Sequence, residues 1–283
     1  MFLFQNWIIF AAIAGLASNG FNFFTRYILK DNDDPIAFAW YYETLRFSIF
    51  IILAIFDFRL IFEPKAIIFL LGIGITEWAS MYFYMKMHSY THLSISAIVS
   101  RTRLIWVTIL AFIIVGEHLK STEYLGIFIM FAGLCTVVAP KKLVSDKGII
   151  YGSIAAFLIA LDVIFIRLSL PYASNSVINA AMSLPGMLLF PIFMKNRVKR
   201  ISSTLNNNFK LKSLAICINA VSVYFFAIAI GIGETGKVQG IYQGMLVFSV
   251  LAGIIFLNER ENIGKKLVGT AVTIIGVLLL TAL

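Results

Sequence analysis

Apolar residues in this chain fall in long, nearly unbroken stretches, with neither the alternation of a half-buried strand nor the one-sided stripe of a soluble helix. Ten runs stand out, at 7–27, 36–56, 66–86, 93–115, 122–139, 148–168, 176–194, 211–232, 236–257 and 262–282. A helix needs about 20 predominantly apolar residues to cross the hydrocarbon core, and each run is close to that length. In lipid every backbone polar group must be satisfied within its own segment, which favours helices. The expected fold is therefore all-α and integral to a membrane, with ten transmembrane helices. Charges and helix breakers gather between the runs: KDNDDP at 30–35, FRLIFEP at 58–64, GEHLKS at 116–121, PKKLVSDKG at 140–148 and MKNRVKRISSTLNNNFKLK at 194–212. No connector could hold a soluble domain, so any chemistry must take place in or beside the bilayer.

Composition supports that picture. Hydrophobic residues make up 60% of the chain and charged ones 13%, against about 25% charged in a soluble domain, and the mean hydropathy is +0.91. The net charge of +9 would suit a nucleic-acid partner only if it formed a patch. Instead the basic residues sit in short connectors, where they act as topology signals. Odd-numbered connectors hold fifteen Lys and Arg residues and even-numbered ones hold five. Both termini are therefore expected outside the cytoplasm and the 195–212 connector inside it. The N-terminal MFLFQNWIIF has no basic region ahead of its apolar stretch and no small-residue cleavage site after it, so the first helix is expected to be retained. Cys135 and Cys217 lie in separate apolar runs with no metal or redox spacing.

The chain repeats itself. IIVGEHLKSTEYLGIFIMFAGL (113–134) and IIFLNERENIGKKLVGTAVTIIGV (254–277) each close a helix with Glu, pass through a polar stretch and place two Gly seven apart in the next helix. Glu117 pairs with Glu259, Gly126 with Gly269 and Gly133 with Gly276. Near the start of each half, FNFFTRY (21–27) matches DVIFIRL (162–168), pairing Arg26 with Arg167. Two halves follow, 1–140 and 148–283, each with five helices. An odd number of spans forces the second copy to enter the membrane upside down, the inverted arrangement that recurs in transporters with a site near the midplane.

These joints, GEHL…G…G and NERE…G…G, together with the five-plus-five repeat, make the chain similar to the EamA-type branch of the drug/metabolite transporter superfamily. The resemblance covers nearly the whole chain. It implies a cavity lined by the first four helices of each half, with the fifth and tenth at the periphery, and transport of small metabolites such as amino acids or amines. The chain departs from the family pattern at Leu104 and Leu246, where members usually carry Pro about thirteen residues before the Glu. A mechanism built on kinks at those points is thereby in doubt.

Ionisable groups inside a span are costly and are candidates for function. Away from their ends, the spans hold Glu43, Arg46, Glu77, Arg101, Arg103 and Asp162. Glu43 and Arg46 are three apart and can neutralise each other on one helix face. Glu77 lies mid-helix with no local basic partner, and the repeat offset of 142 matches it to Asn219. The same offset matches Arg101 to Gln243, which favours Arg101 over Arg103 as the cavity residue; two positions apart, the two cannot face the same way. Ser18, Asn22 and Arg26 form a polar stripe suited to a cavity or to interhelical contacts. Trp78, Tyr82 and Tyr84 follow Glu77 and suit a cavity wall that could hold a cation over ring faces. Trp40, Tyr41 and Tyr42 stand near a helix start, where an interfacial belt is expected. His88 and His92 are four apart but lack a third ligand. HExxH and Walker sequences are absent, and no cofactor is expected.

The residues thus favour a secondary transporter in the cell (inner) membrane, not an enzyme, working by alternating access. Its expected partners are a small-molecule substrate and the lipid bilayer, and a homodimer is compatible with this arrangement. The expected substrate site comprises Glu77, Arg101, Asn219, Gln243, Asn22, Trp78, Tyr84 and Glu43. An Arg and a Glu in one cavity suit a zwitterion such as an amino acid. The alternatives are a membrane-embedded enzyme acting on lipid, with the buried carboxylates as acid and base, and a membrane protein without transport activity.

Overall fold

The structure, a computed structural model, describes residues 2–30, 34–90, 99–138, 147–248 and 263–281. Its helices are α1 (Phe2–Lys30), α2 (Pro35–Asp57), α3 (Pro64–Tyr90), α4 (Arg103–Leu110, extended by a π-helical turn Ala111–Val115), α5 (Ser121–Val138), α6 (Lys147–Ser169), α7 (Asn175–Phe193), α8 (Arg197–Asn206), α9 (Phe209–Ile232), α10 (Thr235–Gly244) and α11 (Ile263–Thr281). Among the described residues, seven helices are long and apolar enough to cross a membrane, and α5 is a shorter apolar helix. The runs at 93–115 and 236–257 lie partly outside the described residues. Large apolar side chains such as Phe56, Ile113, Phe128, Ile150 and Leu278 point outward, as a lipid-facing surface requires.

One element departs from the sequence expectation. The 194–212 connector contains a helix, α8. Its sequence RVKRISSTLN has no Gly or Pro to break it; Asn196 at its start and Asn208, just past its last cap residue and opening α9, are both at φ 52°. Asn tolerates this left-handed conformation better than most side chains do. Among the described residues, two polar contacts help tie α8 down. Lys212, fully buried at the start of α9, donates to the Thr204 carbonyl at 2.8 Å. Arg200 grips Asp34, with one hydrogen bond of 2.7 Å and a second, shorter one.

Asp34 also caps α2, accepting from Ile36 and Ala37 N–H at 3.1 Å each, with Pro35 in the first helical position, where its missing N–H costs nothing. Burial pushes the Asp34 carboxyl up. The hydrogen bonds from Arg200, Ala37 and Ile36, with the guanidinium charge, outweigh that and hold it below the usual carboxylate range. A folded value below the unfolded one gives stability that is complete above the unfolded pKa of about 3.9 and is lost as pH falls through the folded value. Asp34→Asn keeps a capping side chain but loses the charge. It should melt below wild type at neutral pH, and the gap should close as pH falls below about 4. Melting curves that stay a constant distance apart across that range would contradict this account.

Helices from the two halves pair extensively: α1 with α9, α3 with α6, α2 with α7, and α5 with α11. Exchanging the halves turns the α1–α9 pair into α6–α3 and maps the other two pairs onto themselves. α2 and α7 run antiparallel, since Arg46 meets Ser183 and Asp57 meets Ser176. α5 and α11 also run antiparallel, with Gly126 against Gly276 and Gly133 against Gly269 and Thr273. The backbones touch at these glycines. A β-carbon on Gly276 would stand 2.5 Å from the Met130 nitrogen and 2.7 Å from the Gly126 carbonyl oxygen. Both obstacles are main chain, so the helices would have to part. Gly276→Leu should therefore cost at least about 1–3 kcal/mol and lower the yield of monodisperse protein on size exclusion. Wild-type melting in that variant would contradict the close packing.

Connectors close one end of the bundle. The 58–63 and 170–174 segments are laced together by Ile61 N–H to the Tyr172 carbonyl, Ser174 N–H to the Arg59 carbonyl, both 2.8 Å, and the Arg59 guanidinium to the Leu170 carbonyl at 2.7 Å. Gly116, at φ 77°, ends the π-helical turn in a conformation glycine adopts freely. The chain there turns so that Glu117 reaches the N-terminus of α10. The Glu117 carboxylate accepts the Thr235 N–H and hydroxyl, each at 2.7 Å, and Arg167 stands 3.6 Å from it. The glutamate that marked the repeat is thus a cap joining the two halves. Its counterpart Glu259 and the side chain of Arg26 lie outside what is described.

Candidate functional site

The interior is polar at mid-depth. Arg46, 1% exposed on α2, is the hub. Its Nη2 stands 2.8 Å from Glu77 on α3 and 3.2 Å from Glu43 one turn back, without aiming an N–H squarely at either. Its Nε donates to Ser183 on α7 at 2.6 Å, and Nη1 makes a short hydrogen bond to the Tyr42 hydroxyl. Tyr42 in turn donates to the Asn219 side-chain oxygen on α9 at 2.8 Å. One guanidinium therefore ties together two helices of each half.

A third carboxyl adjoins this cluster. Asp162 on α6 is hydrogen-bonded to Thr76 and faces Glu77. Ser183 and Thr76 had no sequence signal beyond being small hydroxyl residues inside spans. Tyr42 is a correction to the sequence expectation. It is buried at the centre of this network and does not form part of an interfacial belt, and Tyr41 beside it is also buried. Its spacing of four from Arg46 is the signal that could have found it.

Glu77, which has no basic residue near it in sequence, finds one across the α2–α3 interface. Glu43 is fully buried, with the Gly186 backbone close against its side chain; a β-carbon there would stand 2.5 Å from Glu43 Cγ. Arg101 and Gln243 meet, as their repeat offset suggested, through a long contact of 3.5 Å from Arg101 Nη1 to the Gln243 side-chain oxygen. Arg103 diverges to lie 5.4 Å above the ring of Tyr242. Tyr242 donates to Ser18 on α1 at 2.7 Å and packs on Phe226 at 4.7 Å between ring centres. Asn22 is half-buried on α1, one turn beyond Ser18. Trp78 turns away from Glu77 to stack on Phe193 at 5.7 Å, and Tyr84 is half-buried two turns further along α3. Tyr82 is 40% exposed beneath Lys86. His92 and the side chain of His88 lie outside what is described, and among the described residues no group of His, Cys, Asp and Glu is arranged to hold a metal ion.

The interior thus has an acidic centre around Arg46 and a basic one around Arg101 and Arg103. Asn219 touches the first and Phe226 touches Tyr242 in the second. Seven residues separate Asn219 from Phe226 on α9, about 10 Å along the helix. Two clefts of about 630 and 490 Å³ lie elsewhere, beside residues 191–199 and beside Lys65, Phe69 and Arg167. The chemistry argues for the polar interior over either cleft, because buried charge is expensive and surface concavity is not.

Comparison with known proteins agrees with this architecture. A search of curated proteins finds no match. A solved crystal structure, described only as that of a protein, superimposes with a TM-score of 0.72 over 99% of this chain and 97% of its own, at 14% identity. At that identity the likeness concerns the fold. The model of the EamA-like transporter family matches twice, over residues 5–139 and 146–282. With both halves matched almost end to end, the chain belongs to the EamA-like transporter family of the drug/metabolite transporter superfamily, and it is a multi-pass integral membrane protein of that transporter type.

Proposed function

We propose that the protein carries a small zwitterionic metabolite, an amino acid or a related amine, across the cell (inner) membrane by alternating access. The observation that carries this reading is the pair of oppositely charged centres in the interior, each built from both halves. Arg101 and Gln243 suit a carboxylate, and Glu77 with Asn219 suits an ammonium group. Glu43 holds Arg46 in place, while Asn22, Trp78 and Tyr84 shape the walls. The antiparallel α2–α7 and α5–α11 pairs support an inverted repeat of residues 1–140 and 148–283 with ten spans in all. The halves then rock about the Arg46 network, and the Glu117–Thr235 cap and the 58–63/170–174 lacing close one side.

Flux in proteoliposomes, measured with a panel of labelled amino acids and amines, tests the reading. Saturable uptake of at least one zwitterion is expected. Uptake restricted to cations or anions would overturn the substrate class, and no uptake of any panel member would overturn the reading as a whole. The basic-residue tally puts both termini outside the cytoplasm, and a periplasmic-active reporter fused at Leu283 should be active. A cytoplasmic signal there would reverse the orientation.

A further inference from the structure

Among the described residues, the buried charges at the centre of the bundle do not balance. Glu43, Glu77, Asp162 and Arg46 are all more than nine-tenths buried. Among the described residues, the charged groups acting on Glu43 and on Asp162 are Arg46 and Glu77. The rest of the shell consists of Tyr42 from α2, Thr76 from α3, Ser183 from α7 and Asn219 from α9, all with neutral polar side chains. One guanidinium offsets one carboxylate. Two further negative charges would remain where an uncompensated ion costs several kcal/mol.

A count of hydrogens locates part of the answer. The Thr76 hydroxyl has a single proton to donate. It lies 2.8 Å from the Gly72 carbonyl oxygen one turn back, the usual acceptor for a mid-helix threonine. It is also hydrogen-bonded to Asp162 Oδ1. If the threonine proton goes to Gly72, the proton of the second bond must come from Asp162. Among the described residues, the other Asp162 oxygen, Oδ2, is buried with no hydrogen-bond donor. Ionised carboxylate oxygens attract donors, whereas the carbonyl oxygen of a neutral acid tolerates their absence better.

We propose that this cluster is a proton-binding site in which Asp162 holds an exchangeable proton, with Thr76 as its hydrogen-bond acceptor. Release breaks the Asp162 O–H bond and forms one on Glu77, which is 7% exposed. Glu77 then gives the proton to water and is left ionised, as Asp162 is. Binding runs the same steps in reverse. Asp162 belongs to the second half and Thr76 and Glu77 to the first, so the proton sits on the seam between them. Binding stands apart from the transport reading; only a role in coupling rests on it.

Infrared spectroscopy of the purified full-length protein through a pH titration tests the site without any substrate. In sodium-free buffer at neutral pH, a protonated-carboxyl C=O band is expected that bleaches on alkalinisation and returns on acidification. A carbon-13 label on aspartate carboxyls should move it, and Asp162→Asn should remove it. Thr76→Val keeps every carboxyl but deletes the acceptor, so the band should persist at a shifted frequency. That variant and the label decide the matter even if Asp162→Asn fails to fold. Absence of an acid band at neutral pH overturns the proposal. So does a band insensitive to the aspartate label and to Thr76→Val, since the proton would then lie elsewhere. Bleaching of the band by added sodium chloride at fixed pH would also overturn it, in favour of a site for a metal cation. Because the readout is binding, a null flux result with the amino-acid panel leaves this outcome independent.

Discussion

Arg46→Leu should destabilise the protein by about 3–5 kcal/mol, the usual cost of removing one partner from a buried ion pair. The side chain contacts Glu43, Glu77, Ser183 and Tyr42, and Tyr42 passes the connection on to Asn219. Leucine would fill part of the volume and leave the carboxyls and two hydroxyls without their common partner. Because α2, α3, α7 and α9 meet at this one group, the loss should appear as a lower melting temperature and a smaller folded fraction in the same detergent. Arg46→Lys is the informative companion. It keeps the charge, but a single ammonium on a flexible stem cannot reach four partners with a planar fork's geometry, so it should recover only part of the loss. An Arg46→Leu variant that melts within a degree or two of wild type would show that the network does not hold the halves together.

Neutralising Glu77 or Arg101 should abolish or sharply weaken uptake of whichever zwitterion the panel identifies, with the protein still inserted. Glu77→Gln keeps the size of the side chain, so packing there changes little, and Arg101→Gln leaves a shorter, neutral side chain that still hydrogen-bonds. After Glu77→Gln, Arg46 still has Glu43 at 3.2 Å, and stability should fall much less than in Arg46→Leu. A purely structural Glu77 predicts a different pattern. The single variant would lose stability and transport together, and Glu77→Gln combined with Arg46→Gln would regain both through a positive coupling energy. Full recovery of transport in that double variant would sink the substrate role of Glu77. For Arg101, which contacts the neutral Gln243 among its partners, the control is Arg101→Lys, which retains the charge. Wild-type uptake in Arg101→Gln would remove this residue from the site.

Membrane residence, helical class and the duplicated halves were readable from residue order alone. Hydropathy and span length are sums over neighbouring residues, each contributing its own transfer energy wherever the chain later goes. The repeat was also visible, because Glu117, Gly126 and Gly133 recur as types at a nearly constant offset. Their partners were not. The repeat aligned Gly126 with Gly269 and Gly133 with Gly276, yet the structure packs Gly126 on Gly276 and Gly133 on Gly269, the crossed pairing of two antiparallel helices. Glu117 looked like a helix end and proved to be a cap on a helix of the other half. The α8 helix hid inside a connector because its ten residues are too polar to register as a span.

The acidic centre shows the same division. Sequence could list Glu43, Arg46, Glu77 and Asp162 as costly intramembrane charges and could pair the two that share a helix. It could not show that Glu77 is neutralised by Arg46, that Tyr42 leaves the membrane interface for the centre, or that Asp162 joins the cluster from the other half. Transfer energy belongs to a residue and is fixed once the residue is written. An ion pair or hydrogen bond belongs to a distance, and Arg46 and Ser183, 137 residues apart in the chain, acquire theirs only when α2 packs against α7.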